Sequence, residues 1–413
     1  MCSSDLTRGG GLCGANHGSI ENCYFEGSVE NTSNTYGFTG GITSWCGGSI
    51  LNCYTACVLT VPAGATSTSI GGLVGVAGMN QRNASLKYTI ETSYWDTDLI
   101  DPDPVSFYIH SAANGGVASE AAAGLYGKTT VELKTEATFT GVGWDFDNIW
   151  DIETSEYPHL QFEDDSITEV TIDYERNMIE MYRNNDTLSG GVVRQINELG
   201  DIGNYAVLDE DNDIGWFEDW DSFIQISTEE DLRKIGSDEY ISEYPLSGNY
   251  VLTNDIIVTD EFTPIGTANT ELEAFSGVFN GNGYCIKGSF NIGNSNSRYQ
   301  GLFAYTYGAK IWNLGIDECT IEGYDIVGAI SAWSKNTEFR NCFVGENVKL
   351  TGFRTSNASY VGGIAGMCIR CTISQCYSNC FIKIYASCAG GICGISWENK
   401  IIKIGRASCR ERV

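Results

Sequence analysis

Basic residues are scarce in this chain. Its 413 residues include 24 Lys and Arg against 53 Asp and Glu, which gives a formal net charge of −29. Nucleic acids and anionic membrane surfaces bind proteins that present a basic footprint, so this charge balance opposes both as partners. It suits a soluble secreted protein or one that binds cations.

Long apolar runs and histidines are scarce as well. No stretch approaches the length of about 18 apolar residues that predicts a membrane-spanning helix. None of the three histidines, His17, His110 and His159, is followed by Glu. The His-Glu-x-x-His motif, with which a zinc protease holds its metal and places a general base, is therefore excluded from this sequence.

The chain does contain a repeat, and glycine pairs are its first marker. The copies are residues 10–14 (GGLCG), 40–44 (GGITS), 71–75 (GGLVG), 301–303 (GLF), 327–331 (VGAIS), 361–366 (VGGIAG) and 390–394 (GGICG). Equivalent apolar positions, such as Leu12 and Ile42 or Ile330 and Ile364, are 28 to 34 residues apart. A fixed period of this size is typical of a solenoid, in which stacked units bury a core that one unit cannot bury alone.

A cysteine in a constant setting is the second marker, 11 or 12 residues after the apolar position of the first. The four copies are residues 20–24 (IENCY), 50–54 (ILNCY), 339–343 (FRNCF) and 373–377 (ISQCY). Equivalent positions predict inward side chains, where a free thiol behaves as a small hydrophobe. Disulfides remain an alternative, as does a zinc site formed by Cys368, Cys371, Cys376 and Cys380.

The composition of the repeat predicts strands. Its units are rich in Gly, Asn, Ser, Thr and β-branched residues, and about 30 residues accommodate roughly three short strands with turns. The glycine pairs suit positions that need a positive φ or a close backbone approach. We therefore expect an all-β chain with two right-handed parallel β-helix-like solenoid blocks and small α/β caps.

The repeats also predict the domain organisation. The first block covers residues 7–98, an aromatic-rich closing segment 99–165, an acidic connector or small β module 166–222, and a lead-in with the second block 223–403. Residues 1–6 and 404–413 resemble translated sequencing adapter, because the latter place three Arg in an otherwise acidic chain. We expect both to lie outside the natural protein, which would make 7–403 an internal fragment.

Two short helices are predicted from their caps. In one, Thr129 or Thr130 precedes Glu132; in the other, Ser227 or Thr228 precedes an acidic first turn. The connector should contain strands near residues 170–174 and 178–182, and a short helix near 193–199.

Two clusters could carry chemistry, although each has a structural explanation that we favour. Asp96, Asp98, Asp101 and Asp103 could bind calcium, or supply paired carboxylates, but they also suit a solvated acidic turn. The large apolar residues of 139–160 could form a sugar platform, but they also suit a plug over the end of a solenoid. The acidic run 209–213 lacks the Gly and Glu of a calcium loop. We name no catalytic, cofactor-binding or metal-binding residue.

These markers resemble the GLUG-repeat family, named for its Gly-Leu-any-Gly core. Residues 72–75 (GLVG) and 363–366 (GIAG) match this core well, and 301–304 (GLFA) is a degenerate copy. Residues 244–286 resemble the lead-in to such repeats, and 127–160 the segment that closes them. The resemblance implies a secreted or surface-attached bacterial protein with a β-helix-like stalk, as in large adhesins. Similar repeats accompany IgA-specific metallo-endopeptidases.

From this resemblance we expect a non-enzymatic, extracellular stalk or adhesion segment, with a host glycan or matrix protein as a candidate partner. One alternative is the spacer of a secreted IgA-type metalloprotease whose catalytic domain lies elsewhere. Another is a carbohydrate-active enzyme, because β-helices host such enzymes, although this rests on fold analogy alone.

Overall fold

A computed structural model of the chain describes most of residues 7–412. The ranges outside the description are residues 32–36, 61–67, 79–87, 101–104, 111–115, 120–126, 162–168, 174–177, 184–185, 188–191, 197–201, 209–213, 217–222, 260–261, 268–269, 289–297, 354–358, 385–386 and 406–409. Asp101, Asp103, the acidic run 209–213 and residues 1–6 thus lie outside the described residues.

The N-terminal part is built of short strands. They are β1 (Thr7–Gly10), β2 (Cys13–Glu21), β3 (Tyr24–Glu30), β4 (Gly37–Gly40), β5 (Thr43–Cys46), β6 (Ser49–Leu51), β7 (Tyr54–Thr60), β8 (Thr68–Ala77), β9 (Thr89–Glu91), β10 (Tyr94–Asp96), β11 (Val105–His110), β12 (Gly116–Ser119) and β13 (Gly127–Lys128).

The closing segment and the connector follow. The closing segment contains α1 (Thr130–Leu133), α2 (Ala137–Thr140), β14 (Trp150–Asp151) and β15 (His159–Leu160). The connector contains β16 (Glu169–Asp173), β17 (Met178–Arg183), β18 (Asp186–Thr187), β19 (Val192–Ile196), β20 (Ile202–Leu208) and β21 (Ile214–Trp216), in two antiparallel sheets. The two predicted strands are confirmed, but the predicted helix near 193–199 is wrong. Its β-branched residues form β19, which pairs with β20 instead.

The C-terminal part is again a series of strands. They are β22 (Ile224–Ile226), β23 (Tyr250–Leu252), β24 (Ile256–Val258), β25 (Val278–Asn280), β26 (Cys285–Gly288), β27 (Tyr299–Gln300), β28 (Phe303–Tyr307), β29 (Lys310–Trp312), β30 (Gly315–Asp317), β31 (Thr320–Gly323), β32 (Ile326–Gly328), β33 (Ser331–Lys335), β34 (Glu338–Arg340), β35 (Phe343–Val344), β36 (Lys349–Gly352), β37 (Tyr360–Gly362), β38 (Ala365–Ile369), β39 (Thr372–Ser374), β40 (Tyr377–Ser378), β41 (Phe381–Ile384), β42 (Ser387–Gly390), β43 (Cys393–Ile402) and β44 (Arg410–Arg412). Helix α3 (Glu229–Lys234) follows β22, and a 3-10 turn covers Glu271–Glu273.

The strands of both parts form a parallel β-solenoid of about 9 turns. Equivalent residues of successive repeats are direct register partners, as for Ile20 with Ile50 and Phe339 with Ile373. Inward side chains at these positions are fully buried. The prediction of an all-β parallel solenoid from the repeat period is confirmed.

The cysteine marker forms an inner corner of each turn. The amide residue before the cysteine has a positive φ, 50° at Asn52 and 52° at Asn341. Asparagine tolerates this left-handed conformation better than most residues. Its side chain also forms a hydrogen bond to the preceding turn, since Asn341 Nδ2 donates to Asn313 Oδ1 at 3.0 Å. The chain thus turns at the amide and directs the next side chain inward.

The thiols that follow these amides are buried, as predicted for Cys23, Cys53, Cys342 and Cys376. Each thiol donates to the carbonyl two residues earlier, as from Cys53 to Leu51 at 3.2 Å. In the last repeat of the first block, Ser93 replaces the cysteine, and its hydroxyl donates the equivalent hydrogen bond to Glu91 O at 2.8 Å. At each cysteine marker, the buried thiol or hydroxyl is therefore hydrogen-bonded to a backbone carbonyl of the same corner.

The glycine pairs serve close packing rather than a positive φ. A Cβ on Gly11 would lie 2.2 Å from Gly41 O and 2.3 Å from the Phe25 ring. One on Gly72 would lie 2.2 Å from the Trp95 ring. These separations are shorter than any normal contact, so larger residues are excluded. Of the two reasons for glycine left open by the sequence, close approach is the one that applies here.

The two predicted blocks form one continuous solenoid whose order differs from the order of the sequence. Strands β1 and β2, at the start of the chain, pair in parallel with β42 and β43, near its end. The first turn of the N-terminal block therefore follows the last turn of the C-terminal block. We call this contact the joint, and it consists of β1, β2, β42 and β43.

Short helical elements flank the stack. In α1 the Thr129 side chain accepts from the Glu132 amide while the Glu132 carboxylate accepts from the Thr129 amide. In α3 the Thr228 hydroxyl accepts from the Asp231 amide. Both predicted caps are confirmed, because capping is determined by residues three apart in sequence. Strand β13, just before α1, pairs with the last rung β10.

Candidate functional site

The acidic cluster after the first block is the most prominent group of titratable residues. Asp96 is fully buried, and its carboxylate accepts hydrogen bonds from the Tyr157 hydroxyl, the Thr130 hydroxyl at 2.7 Å and the Asp98 amide at 2.8 Å. Asp98 in turn accepts from the Thr130 amide at 2.9 Å. Both carboxylates thus bind the start of α1 to the last rung of the solenoid.

Tyr157 shares in this network. Burial and its hydrogen bond to the Asp96 carboxylate raise the pKa of the Tyr157 hydroxyl well above its ordinary value. A phenol that holds its proton this firmly is a hydrogen-bond donor at neutral pH and not a base. The geometry therefore gives Asp96 and Tyr157 a structural bond between the closing segment and the solenoid. Asp101 and Asp103, the other predicted members, lie outside the described residues.

The aromatic residues of the closing segment pack against the side of the first block. Phe139, Trp144 and Trp150 are nearly fully buried. The two tryptophans contact the stacked rings of Tyr24 and Tyr54, and Phe139 contacts the ring of Tyr94. The Trp144 indole N–H donates to Thr92 O at 2.9 Å, and the Tyr54 hydroxyl to Pro158 O at 2.6 Å. Rings buried in this way have no face open to a sugar, so these three are not a sugar platform.

The four cysteines considered as zinc ligands are divided among different neighbours. Cys368 lies beside Cys371 and Cys393, whereas Cys376 lies beside Cys342 and Cys380 beside Ser378. In the part of the chain that the structure describes, no group of three His, Cys, Asp or Glu residues is placed to hold a metal ion. All four thiols are buried in the same core, but they come from different stretches of the turn, which explains the division: Cys368 lies in β38, Cys371 between β38 and β39, Cys376 between β39 and β40, and Cys380 before β41.

A cleft at the other end of the solenoid has no counterpart in the sequence analysis. It has a volume of about 700 Å³ and lies between α3 and the loop before the 3-10 turn. Apolar side chains such as Phe262, Ile265 and Leu246 form much of its wall. Leu272 is 94% exposed at the rim. The only sequence signal was this single leucine between Glu271 and Glu273, which predicts nothing by itself.

Two half-buried aromatic rings, those of Tyr299 and Trp333, lie beside the buried ring of Tyr305 in the second block. Trp333 stacks on Tyr305 with ring centroids 4.8 Å apart, and on Tyr299 at 6.1 Å. Tyr305 and Trp333 are register partners on adjacent turns, so the stack follows from the repeat. We call Tyr299, Tyr305 and Trp333 the outer aromatic stack. Flat rings on a rigid support are suited to contact with sugar rings or apolar side chains.

Comparison with known proteins agrees with this architecture. Residues 5–30 match the family model of the GLUG motif, so the resemblance inferred from the sequence is confirmed for the first repeat. This segment forms β1 to β3, including the glycine pair, the inner corner at Asn22 and the buried Cys23. The chain is a β-solenoid repeat protein that carries a GLUG motif.

A relative is found in Evansella cellulosilytica. It is named as a Gly-rich membrane protein, and it is 30% identical over 142 residues. The match covers 34% of this chain but only 14% of the relative. No solved structure matches the chain. Among the described residues, the helices are too short and too polar to cross a membrane.

Proposed function

We propose that this chain is a non-enzymatic stalk or adhesion segment of an extracellular or cell-surface bacterial protein. The observation that carries the proposal is the single stack of parallel rungs that runs through both blocks. A solenoid with the same contacts in every turn is a stiff spacer whose length is determined by its number of turns. At about 4.8 Å for each turn, this one extends for about 40 Å.

The chemistry of the side chains supports a structural role. The carboxylates of Asp96 and Asp98 bind the closing segment, and the inward cysteines bond to backbone carbonyls of their own corners. The acidic net charge keeps such a segment soluble and discourages association with anionic surfaces. The name of the Evansella relative, a membrane protein, is a further reason to propose a location at the cell surface.

Turnover assays distinguish this proposal from an enzyme. The purified chain is incubated with a panel of polysaccharides and peptides, with and without calcium. We expect no product. A calcium-dependent rise in uronate absorbance that is lost in Asp98→Ala would overturn the proposal in favour of a carbohydrate-active enzyme. Reading the gene beyond both ends separates a surface stalk, with an anchor, from the spacer of a secreted metalloprotease.

A binding role for the stalk is favoured by the outer aromatic stack, and we propose a host glycan or matrix protein as its partner. The full chain is applied to glycan and matrix-protein arrays beside Trp333→Ala. The matched control is Trp144→Phe, which changes a tryptophan in the closing segment that packs away from solvent. Binding that is lost in Trp333→Ala and kept in the control supports this role, whereas equal binding by all three proteins, or none, overturns it.

A further inference from the structure

The joint has the same backbone pairing as any two successive turns within a block. Strand β1 pairs with β42 from Thr7 with Ser387 to Gly10 with Gly390. Strand β2 pairs with β43 from Cys13 with Cys393 to Glu21 with Ile402. The Gly391 amide donates to Gly11 O at 2.9 Å, and the Lys403 amide to Glu21 O at 3.1 Å. The ladder therefore crosses the joint with a single shift between His17 and Ser19.

The packing of side chains also continues across the joint. Leu12 and Ile392 are fully buried within the same core. Apart from this core, the buried ring of His17 stacks on the half-buried ring of Trp397, with centroids 4.2 Å apart and an angle of 10°. A Cβ on Gly18 would lie 2.2 Å from Asn399 O. If the joint opened, each half would expose an apolar core and an unpaired strand edge, which strongly favours pairing with another edge.

Nothing in the covalent chain requires the two halves of one joint to come from the same copy. The blocks are linked through residues 162–222, a stretch of 61 residues. Part of this stretch folds into the two small sheets of β16 to β21, and about 200 Å, several times the length of the stack, is the upper limit that it would span if fully extended. The link raises the local concentration of a block's own partner, so pairing within one chain is favoured at low protein concentration and pairing between copies becomes competitive only at high concentration.

We propose that the joint also forms between copies, so that the N-terminal block of one chain docks on the C-terminal block of a second copy. Such domain swapping keeps every contact of the closed monomer and exchanges only the chain that supplies it. The partner is thus a second copy of this chain, bound through β1 and β2 on one side and β42 and β43 on the other. Because the net charge is −29, added salt will favour the swapped form by screening repulsion between copies.

The test uses natural side chains on both sides of the joint. Unlabelled and ¹⁵N-labelled full-length chains are mixed in equal amounts, unfolded under reducing conditions and refolded together at low and high protein concentration. A carbodiimide then links the carboxylate of Glu21 to the amine of Lys403 or Lys400, which flank its register partner. Mass spectrometry determines whether each linked peptide pair is all light, all heavy or mixed.

We expect mixed pairs after refolding at high concentration, up to about half of all pairs if copies exchange freely, and fewer at low concentration. Trp397→Ala removes the stacking partner of His17 from the joint within a chain and between chains alike. It should therefore reduce the total yield of linked pairs at least threefold and leave the mixed share of them unchanged. Trp333→Ala is the matched control, because its ring stacks within the second block, and it should leave the yield unchanged. Only unmixed pairs at every concentration and salt level, or an equal loss of yield in both variants, would overturn the proposal.

Discussion

The Thr130 hydroxyl donates a hydrogen bond of 2.7 Å to the buried carboxylate of Asp96, 34 residues earlier in the chain. The same carboxylate accepts from Tyr157, 61 residues later in the sequence. One side chain thus holds both the start of α1 and Tyr157, near the end of the closing segment, against the last rung. In an open site this carboxylate would suggest catalysis. Here it is buried, and its hydrogen bonds hold the closing segment on the solenoid.

Replacing Asp96 by Ala should therefore destabilise the protein strongly. The substitution removes the acceptor for two hydroxyl groups and one amide, and it leaves polar atoms buried without partners. We expect a loss of about 2–4 kcal/mol in the free energy of unfolding. Urea unfolding, followed by the fluorescence of Trp144 and Trp150, measures the loss. Asp98→Ala is the control: Asp98 is exposed and should contribute about 1 kcal/mol.

A loss for Asp96→Ala no larger than that for Asp98→Ala would contradict this role. It would mean that the aromatic contacts alone hold the closing segment.

The inner corner makes a separate prediction at Asn341. Its φ of 52° favours Gly or Asn, and its side chain bonds Asn313. Asn341→Ala should lose about 1–2 kcal/mol, because a Cβ without a compensating hydrogen bond is disfavoured in the left-handed region. Asn341→Gly should lose less, since glycine adopts this conformation freely. Asn347→Ala, at an exposed position without a positive φ, serves as the control and should change stability by less than about 0.5 kcal/mol. If Ala and Gly at position 341 prove equally stable, backbone conformation is not what selects the amide.

Local features of the fold were predictable from the sequence for a physical reason. The repeat period fixes which residues stack, and the caps of α1 and α3 depend on residues three positions apart. The inward direction of Cys342 follows from the same phase. What periodicity does not encode is which turn stacks on which, because every turn presents nearly the same edge. The joint between β2 and β43, hundreds of residues apart, could therefore not be derived from spacing.

The functional candidates show the same limit. Asp96 can be recognised as part of an acidic cluster, but its partner Tyr157 lies 61 residues further along the chain, among the large apolar residues of 139–160, and no spacing in the sequence connects the two. The cleft beside α3 depends on how residues 262–273 fold back on the helix, which no local pattern specifies. The direction of the Trp144 and Trp150 rings, toward the side of the block, likewise depends on tertiary packing.

Differences in burial among the cysteines predict different reactivity. Cys342 is fully buried in its corner, whereas Cys285 is half-buried in β26. Alkylation of the folded protein at pH 8 should modify Cys285 at least tenfold faster than Cys342, because only an accessible thiolate reacts. Peptide mass spectrometry after timed treatment with iodoacetamide measures both rates in one sample. In denaturant the two rates should become similar, which provides the control; similar rates in the folded state would contradict the burial of Cys342.

High pH should destabilise the solenoid through its buried thiols. Burial raises the pKa of Cys46 and Cys57 to about 12, from an ordinary value near 9. Between these values the unfolded chain releases protons that the folded chain retains, so the free energy of unfolding falls as pH rises. In this window each thiol should lower the free energy of unfolding by about 1.4 kcal/mol per pH unit. Below pH 8 the thiols are protonated in both the folded and the unfolded chain, so their full contribution to stability is present there. Urea unfolding at pH 7, 8, 9.5 and 10.5 gives the profile, and Cys57→Ala should reduce the slope although it lowers stability at every pH. A profile that stays flat above pH 9 in the natural sequence would show that these thiols are not held away from water.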